Sequence, residues 1–141
     1  MSYSLACYHS DKYAAIFAVS STMTNAFEGD CAPTRPVSVL SANGTDDAVV
    51  PYNGSTDYNS QADVVEYWKT NNNITTEAEV TDITDTIQRT RYTGGDNGTA
   101  VEHYRLEGGT HVWHQDDFDG TDLSTLVWTF VSAHRLSDPI E

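Results

Sequence analysis

The sequence predicts an α/β fold with a mainly parallel sheet, flanking helices and an added antiparallel hairpin. Residues 13–20 and 37–42 are continuous apolar runs, which is typical of strands covered on both faces. Residues 78–83 and 86–92 alternate in hydrophobicity and are rich in Thr, Val and Ile, as antiparallel strands are. Because strands alternate with helix-patterned segments, we expect one α/β domain over residues 1–141, with parallel pairing between the buried strands.

The N-terminal part is expected to hold a short helix, the two buried strands and a loop between them. Residues 3–9 place apolar side chains on one side of a helix, and residues 11–13 are expected to form a turn. Residues 25–36 are rich in Gly, Pro and Asp, which predicts a loop. The second buried strand ends at the turn signal Asn43-Gly44.

The middle of the chain predicts a helix followed by the antiparallel hairpin. Residues 58–71 show apolar side chains at a spacing of three to four, and Ser60 is a suitable N-cap for this helix. The run of asparagines that begins at Asn71 ends it. The two alternating strands that follow are expected to be joined by a tight turn at Thr84 and Asp85.

The C-terminal part predicts one further strand and a closing helix. Residues 101–106 follow a glycine-rich turn and have the composition of a strand. Residues 123–136 carry an apolar face at helical spacing, with Thr121 or Asp122 as the N-cap. The strand and the helix together extend the α/β pattern to the end of the chain.

The charge balance of the chain excludes several kinds of partner. Asp and Glu total 21 residues against 7 Lys and Arg, which gives a formal net charge of −14. Such a surface repels nucleic acids and anionic membranes, so we expect neither as a partner. It also suits salty surroundings, with simple solubility as the alternative explanation. The N-terminus lacks the basic and apolar segments of a signal peptide, so the localisation stays open.

The cysteines and the acidic residues predict no metal or other cofactor. Cys7 and Cys31 permit one disulfide, and no neighbouring histidine pair suggests a zinc site. The acidic run at residues 116–122 has clustered carboxylates, but its spacing does not fit an EF-hand loop. The run precedes a predicted helix, whose N-terminus favours negative charge.

Two loops carry the residues with the strongest chemical signal. Asp47 lies in a Gly-Thr-Asp-Asp loop after the second buried strand, where Asp46 is the competing carboxylate. His111 follows Gly108-Gly109 after a later strand, and a histidine in such a loop is hard to explain by core packing. An acid loop followed by a base loop along an α/β sheet matches the later part of a Ser-Asp-His triad.

Five motifs occur in a shared order and resemble a known family: Leu5-Ala6-Cys7, Ala14-Ala15-Ile16, Cys31-Ala32-Pro33, Gly44-Thr45-x-Asp47-x-Val49-Val50-Pro51-Tyr52 and Gly108-Gly109-x-His111-x-Trp113. Together they resemble the polyhydroxybutyrate depolymerase and feruloyl or acetyl-xylan esterase group of secreted α/β-hydrolases, over nearly the whole chain. The resemblance implies that Asp47 is the triad acid and His111 the general base. Asn43 stands where the family often has His, and His114 where Pro commonly follows the Trp, and both differences concern the shape of the substrate pocket.

The nucleophile is not identified by the sequence, because no Gly-x-Ser-x-Gly motif occurs. In the resembling family the Leu-Ala-Cys helix directly follows that motif, so the chain is expected to be a truncated α/β-hydrolase without the nucleophile half. Ser20 and Ser21 end the strand expected beside the one that carries Asp47, while Ser2 and Ser4 lie nearest the motif's place. These four serines are the candidate nucleophiles.

The resemblance implies a carboxylic-ester hydrolase that acts on short-chain esters or on esters linked to polysaccharides or polyesters. Trp113 and Asn43 are its candidate substrate-binding residues. The alternative is a catalytically inactive remnant or a module that binds carbohydrate or polyester. The strands missing from the parent fold leave residues 13–20 as an open sheet edge, so we expect a homodimer or larger assembly that covers it.

Overall fold

A computed structural model describes residues 1–136. They form a mixed α/β fold, which confirms the predicted class, with the elements α1 (Ser2–Tyr8), β1 (Ala15–Val19), α2 (Asn25–Asp30), β2 (Ser38–Gly44), α3 (Gln61–Asn71), β3 (Glu79–Asp82), β4 (Ile87–Tyr92), a 3₁₀ turn (Asp96–Gly98), β5 (Val101–Leu106) and α4 (Leu123–Ala133). No helix in this part of the chain is long and apolar enough to span a bilayer.

The five strands form one sheet in the order β1-β2-β5-β4-β3. β1, β2 and β5 are parallel neighbours, whereas β4 runs antiparallel to both β5 and β3. The predicted hairpin of β3 and β4 is therefore present. Because β3 opposes β4, it runs in the same direction as β1, β2 and β5, so β4 is the one reversed strand of the five, and two of the four pairings are antiparallel.

The core lies in two layers, one on each face of the sheet. On one face, α1 and α3 pack Tyr3 and Trp68 against the strands, with the two rings stacked 6.3 Å apart. On the other face, α4 packs Leu123 and Phe130 against β2 and β5. Every residue of β2 is buried, as expected for a strand covered on both faces.

The helix boundaries follow from their caps. Ser60 caps α3, as predicted, and also forms a reciprocal capping box with Asp63. Asp122 rather than Thr121 caps α4. The predicted loop at residues 25–36 is wrong in its first part, which forms α2, because the Thr24 side chain accepts a hydrogen bond from the Phe27 N–H.

The end of α4 differs from the prediction, and the disulfide that the sequence left open is present. α4 ends at Ala133 and not at residue 136, and the side chain of His134 hydrogen-bonds Ser38 in β2, 3.0 Å away. Cys7 and Cys31 form a disulfide that joins the end of α1 to the end of α2, with their Cα atoms 4.9 Å apart.

Candidate functional site

The loops that follow β2 and β5 are held against each other at the carboxyl edge of the sheet. The N–H of Thr45 donates to the carbonyl of Leu106 at 2.9 Å, and the N–H of Asp46 donates to the carbonyl of Gly109 at 2.9 Å. A Cβ atom on Gly44 would lie only 2.0 Å from that Gly109 oxygen. Glycine at position 44 is therefore required for the two loops to approach each other.

This approach brings Asp47 and His111 into contact. The Oδ2 atom of Asp47 lies 2.9 Å from Nδ1 of His111. The Asp47 side chain is fully buried, whereas that of His111 is 42% exposed. The other carboxylate oxygen of Asp47 accepts from the N–H groups of Val49 and Val50 at 2.9 and 2.8 Å. These two bonds fix the carboxylate, which can therefore hold the imidazole of His111 in one orientation.

The charge state of Asp47 sets the tautomer of the imidazole. Burial alone raises the pKa of Asp47, but the hydrogen bonds from Val50, His111 and Val49 outweigh burial and hold the pKa below its ordinary value. Asp47 is therefore ionised near neutral pH and can only accept hydrogen bonds. It follows that, in the neutral imidazole of His111, Nδ1 is the donor to Asp47 and Nε2 has the lone pair. Nε2 makes no hydrogen bond with any residue in the range 1–136.

The structure also separates Asp47 from its competitor in the sequence. Asp46 is exposed, and only its backbone N–H takes part in the contact between the loops. The imidazole contacts Asp47 instead. Of the two carboxylates that the sequence pattern left open, that of Asp47 is the one that contacts His111.

A cleft of about 420 Å³ lies beside His111. Its walls are formed by the N-terminus, by the end of β1 and the two serines after it, and by the loop after His111, namely Met1, Ser2, residues 17–21 and residues 111–113. Trp113 is 42% exposed and packs edge-to-face on Phe17, with ring centroids 6.2 Å apart. The two rings give the cleft an apolar wall next to the imidazole.

The four candidate serines are placed differently. Ser2, Ser20 and Ser21 line the cleft, whereas Ser4 lies in α1 and is absent from the lining. Ser20 has a φ of 47°, unusual for a residue other than glycine, and its hydroxyl donates to the carbonyl of Val112 at 2.8 Å. None of the serines in the described part of the chain hydrogen-bonds the imidazole of His111.

Asn43 is buried, with 1% of its surface exposed, and it contacts the backbone of Ser21, which lines the cleft. Its Nδ2 atom donates to the carbonyl of Ser21 at 3.0 Å, and Nε2 of Gln61 donates to the same oxygen at 3.3 Å. Gln61 was not among the residues singled out from the sequence. A polar residue at the first position of a helix is common, so nothing in the pattern marked it.

A second histidine, His103, lies inside the sheet, apart from His111. His103 in β5 is bonded to the hydroxyls of Ser41 and Tyr52, each at 2.7 Å. Burial, with a smaller effect of the nearby Arg105 guanidinium, lowers the pKa of His103 to about 4. His103 is therefore neutral near pH 7 and acts as a hydrogen-bonding part of the core.

The comparisons with known proteins add no family to this description. No protein-family model matches the sequence, and no curated protein is significantly similar to it. Within the described residues, no group of three or more His, Cys, Asp or Glu side chains is arranged to hold a metal ion. Functional interpretation therefore depends on the geometry of Asp47, His111 and the cleft.

Proposed function

We propose that this chain is a carboxylic-ester hydrolase in which Asp47 and His111 are the acid–base pair. We further propose that the sheet and its two loops are the part of an α/β-hydrolase fold that carries acid and base. The supporting observation is the hydrogen bond between the buried Asp47 carboxylate and the half-exposed His111 imidazole. It leaves the basic Nε2 atom free, as general-base catalysis requires.

The reaction uses each side chain in a defined role. Nε2 of His111 takes the proton from the attacking hydroxyl, and Asp47 stabilises the imidazolium that forms. The same imidazole then gives its proton to the leaving alcohol. If the attacking group is a water, the ester is hydrolysed directly. If it is a serine, an acyl-enzyme forms first and water then releases it.

Ser20 is the serine that we propose for the second route. Its hydroxyl bonds the carbonyl of Val112, the residue directly after His111. To attack, the hydroxyl must exchange this acceptor for Nε2 of His111. The apolar wall of Phe17 and Trp113 would then contact the acyl part of a short-chain or polymer-linked ester.

The test measures hydrolysis of a chromogenic short-chain ester, p-nitrophenyl acetate. We expect His111→Ala to remove activity above the background of free imidazole. Exposed histidines hydrolyse such activated esters weakly, so His9→Ala, at an exposed histidine outside the cleft, is the matched control. His9→Ala should keep full activity. Equal turnover of the wild type and His111→Ala would contradict the proposal.

The alternative function is a non-catalytic module that binds carbohydrate or polyester at the same cleft. One observation favours it: the hydroxyl of Ser20 is bonded to a carbonyl and not to the imidazole. A fluorophosphonate probe that reacts with activated serines distinguishes acyl-enzyme chemistry from binding. Absence of labelling and of ester hydrolysis, together with measurable affinity for xylan or polyester, would support the module.

A further inference from the structure

The two edges of the sheet differ in how they are protected. β3, at one edge, is four residues long and exposes the carboxylates of Glu79 and Asp82. β1, at the other edge, is Ala15–Val19 and contains no charged residue. Proteins protect free edges from pairing with other chains by short strands and by charge. The β3 edge has both forms of protection, and β1 lacks the charge.

The free edge of β1 presents hydrogen-bonding groups to its surroundings. The N–H of Ser20 and the carbonyl of Ala14 bond to β2 at 2.9 and 3.0 Å. Backbone groups alternate in direction along a strand, so those of Ala15, Phe17 and Val19 point away from β2. In the described part of the chain β1 has a neighbouring strand on one side only. These N–H and C=O groups are therefore available to another strand.

α4 extends this surface over one face of the sheet. The flank of α4 with Leu126 and Thr129 lines a cavity with Arg89 of β4. At 100° per residue, the opposite flank carries Trp128 and Val131 and turns towards β1. Trp128 is 69% exposed, and none of the eleven residues of α4 is charged. An exposed indole on such a helix is typical of an interaction surface.

We propose that β1 and this flank of α4 bind a second copy of the chain across a two-fold axis. The chain has a net charge of −14, so two copies repel each other unless they meet at surfaces without carboxylates. The β1 edge and α4 form such a surface. A basic partner would instead be attracted to the acidic surfaces elsewhere. A second copy brings an identical uncharged edge, so antiparallel pairing of the two β1 strands satisfies the outward groups of both copies while their carboxylates stay apart.

Full overlap of the two five-residue β1 strands sets the register of this pairing. A two-fold axis perpendicular to the sheet makes the two β1 strands antiparallel and keeps α4 of both copies on the same face. Phe17 then lies opposite Phe17 of the second copy, and Ala15 lies opposite Val19. Phe17, Ala18 and Val19 of β1 also line the cleft beside His111, so the second copy would close the cleft along its β1 side. The pairing itself does not depend on the proposed hydrolysis.

Sedimentation velocity over a range of protein concentrations tests the proposal. We expect a dimer that tightens as salt rises from about 0.1 M to about 1 M, because screening reduces the repulsion between the acidic bodies. Ala15→Pro removes an outward N–H and leaves the β1–β2 bonds intact, and Trp128→Glu places a charge on the flank. Each should raise the dimer dissociation constant by about tenfold or more.

Val80→Pro on β3 is the matched control. The N–H of Ile83 bonds the carbonyl of Ile87, so by alternation the N–H of Val80 also points outward, at the other edge. This variant should stay dimeric. Circular dichroism verifies folding, and if Ala15→Pro fails to fold, Trp128→Glu decides alone. Three results would overturn the proposal. The wild type could be monomeric, the folded variants could leave the dimer unaffected, or Val80→Pro could dissociate the dimer as strongly as Ala15→Pro and Trp128→Glu do.

Discussion

Nδ1 of His111 lies 2.9 Å from Oδ2 of Asp47, although the two residues are 64 positions apart in the sequence. Their contact depends on the parallel pairing of β2 with β5, which ends the two strands side by side. Each loop then needs only a few residues to bring its side chain to the shared edge. Catalytic groups converge in this way at the carboxyl ends of parallel strands.

Removing the charge of Asp47 tests the role of this contact. In Asp47→Asn the side-chain oxygen can still accept from Val49 and Val50, so the loop should keep its structure. The amide cannot stabilise an imidazolium, and we expect ester hydrolysis to fall by about 10³–10⁴-fold. Asp46→Asn, at the exposed neighbour, should keep full activity. Equal losses in both variants would show that the local charge, and not the contact with His111, matters.

The same variant makes a prediction about acid stability. The folded-state pKa of Asp47 is lowered, so the ionised carboxylate stabilises the fold above the unfolded-state pKa of about 3.9. This contribution is lost as the pH falls through the lower folded-state value. Urea unfolding should therefore show wild type more stable than Asp47→Asn at neutral pH, with a smaller difference in acid. A difference independent of pH would contradict the lowered pKa.

Gly44 is expected to be intolerant of any side chain. Its Cβ would lie 2.0 Å from the carbonyl oxygen of Gly109, a backbone atom that cannot move without separating the two loops. Gly44→Ala should cost about 2–3 kcal/mol of unfolding free energy and reduce ester hydrolysis. A Cβ atom at Gly29 in α2 would have no neighbouring atom within 4 Å, so Gly29→Ala should be neutral or slightly stabilising. Thermal unfolding of both variants measures the contrast.

The buried strands, and the loops that carry Asp47 and His111, could be predicted because their signals are local. The apolar runs of β1 and β2 identify buried strands, and Asp47 follows β2. His111 follows β5, which is largely buried although it carries polar and charged residues. The arrangement of the strands was harder to predict. β5 lies between β2 and β4, although β3 and β4 separate it from β2 in the sequence, and alternation alone does not select a neighbour.

Other features were missed because competing signals hid them. α2 contains Asn, Gly and Asp, which usually indicate a loop, and the cap from Thr24 outweighs them. The φ of 47° at Ser20 directs its hydroxyl to Val112 and is not encoded by a glycine. The position of a serine near a strand end was therefore insufficient to predict its hydrogen-bond partner.

His103 is expected to make the fold sensitive to mild acid. Its pKa is about 4 in the folded state, against about 6.5 in the unfolded chain. The unfolded state therefore binds more protons between these values, and stability should decline as the pH falls through this window, by up to about 3 kcal/mol. Below the folded-state pKa this decline ends. Urea unfolding between about pH 8 and about pH 4 measures it.

A variant isolates the contribution of His103. Gln at this position offers a donor and an acceptor to Ser41 and Tyr52 but does not titrate. We expect His103→Gln to be less stable than wild type at high pH, with a weaker decline towards acid. His9→Ala, at an exposed histidine, should keep the wild-type decline. An unchanged decline in His103→Gln would assign the pH dependence to other groups.

The disulfide that joins α1 to α2 is expected to stabilise the fold. Cys7 and Cys31 are 24 positions apart, and closing a loop of this length stabilises a fold by about 3 kcal/mol through the unfolded state. The unfolding free energy of wild type should fall by this amount in a thiol reductant. Cys7→Ser should be less stable without reductant and insensitive to its addition. If reductant destabilised Cys7→Ser as strongly as wild type, its effect would not arise from the disulfide.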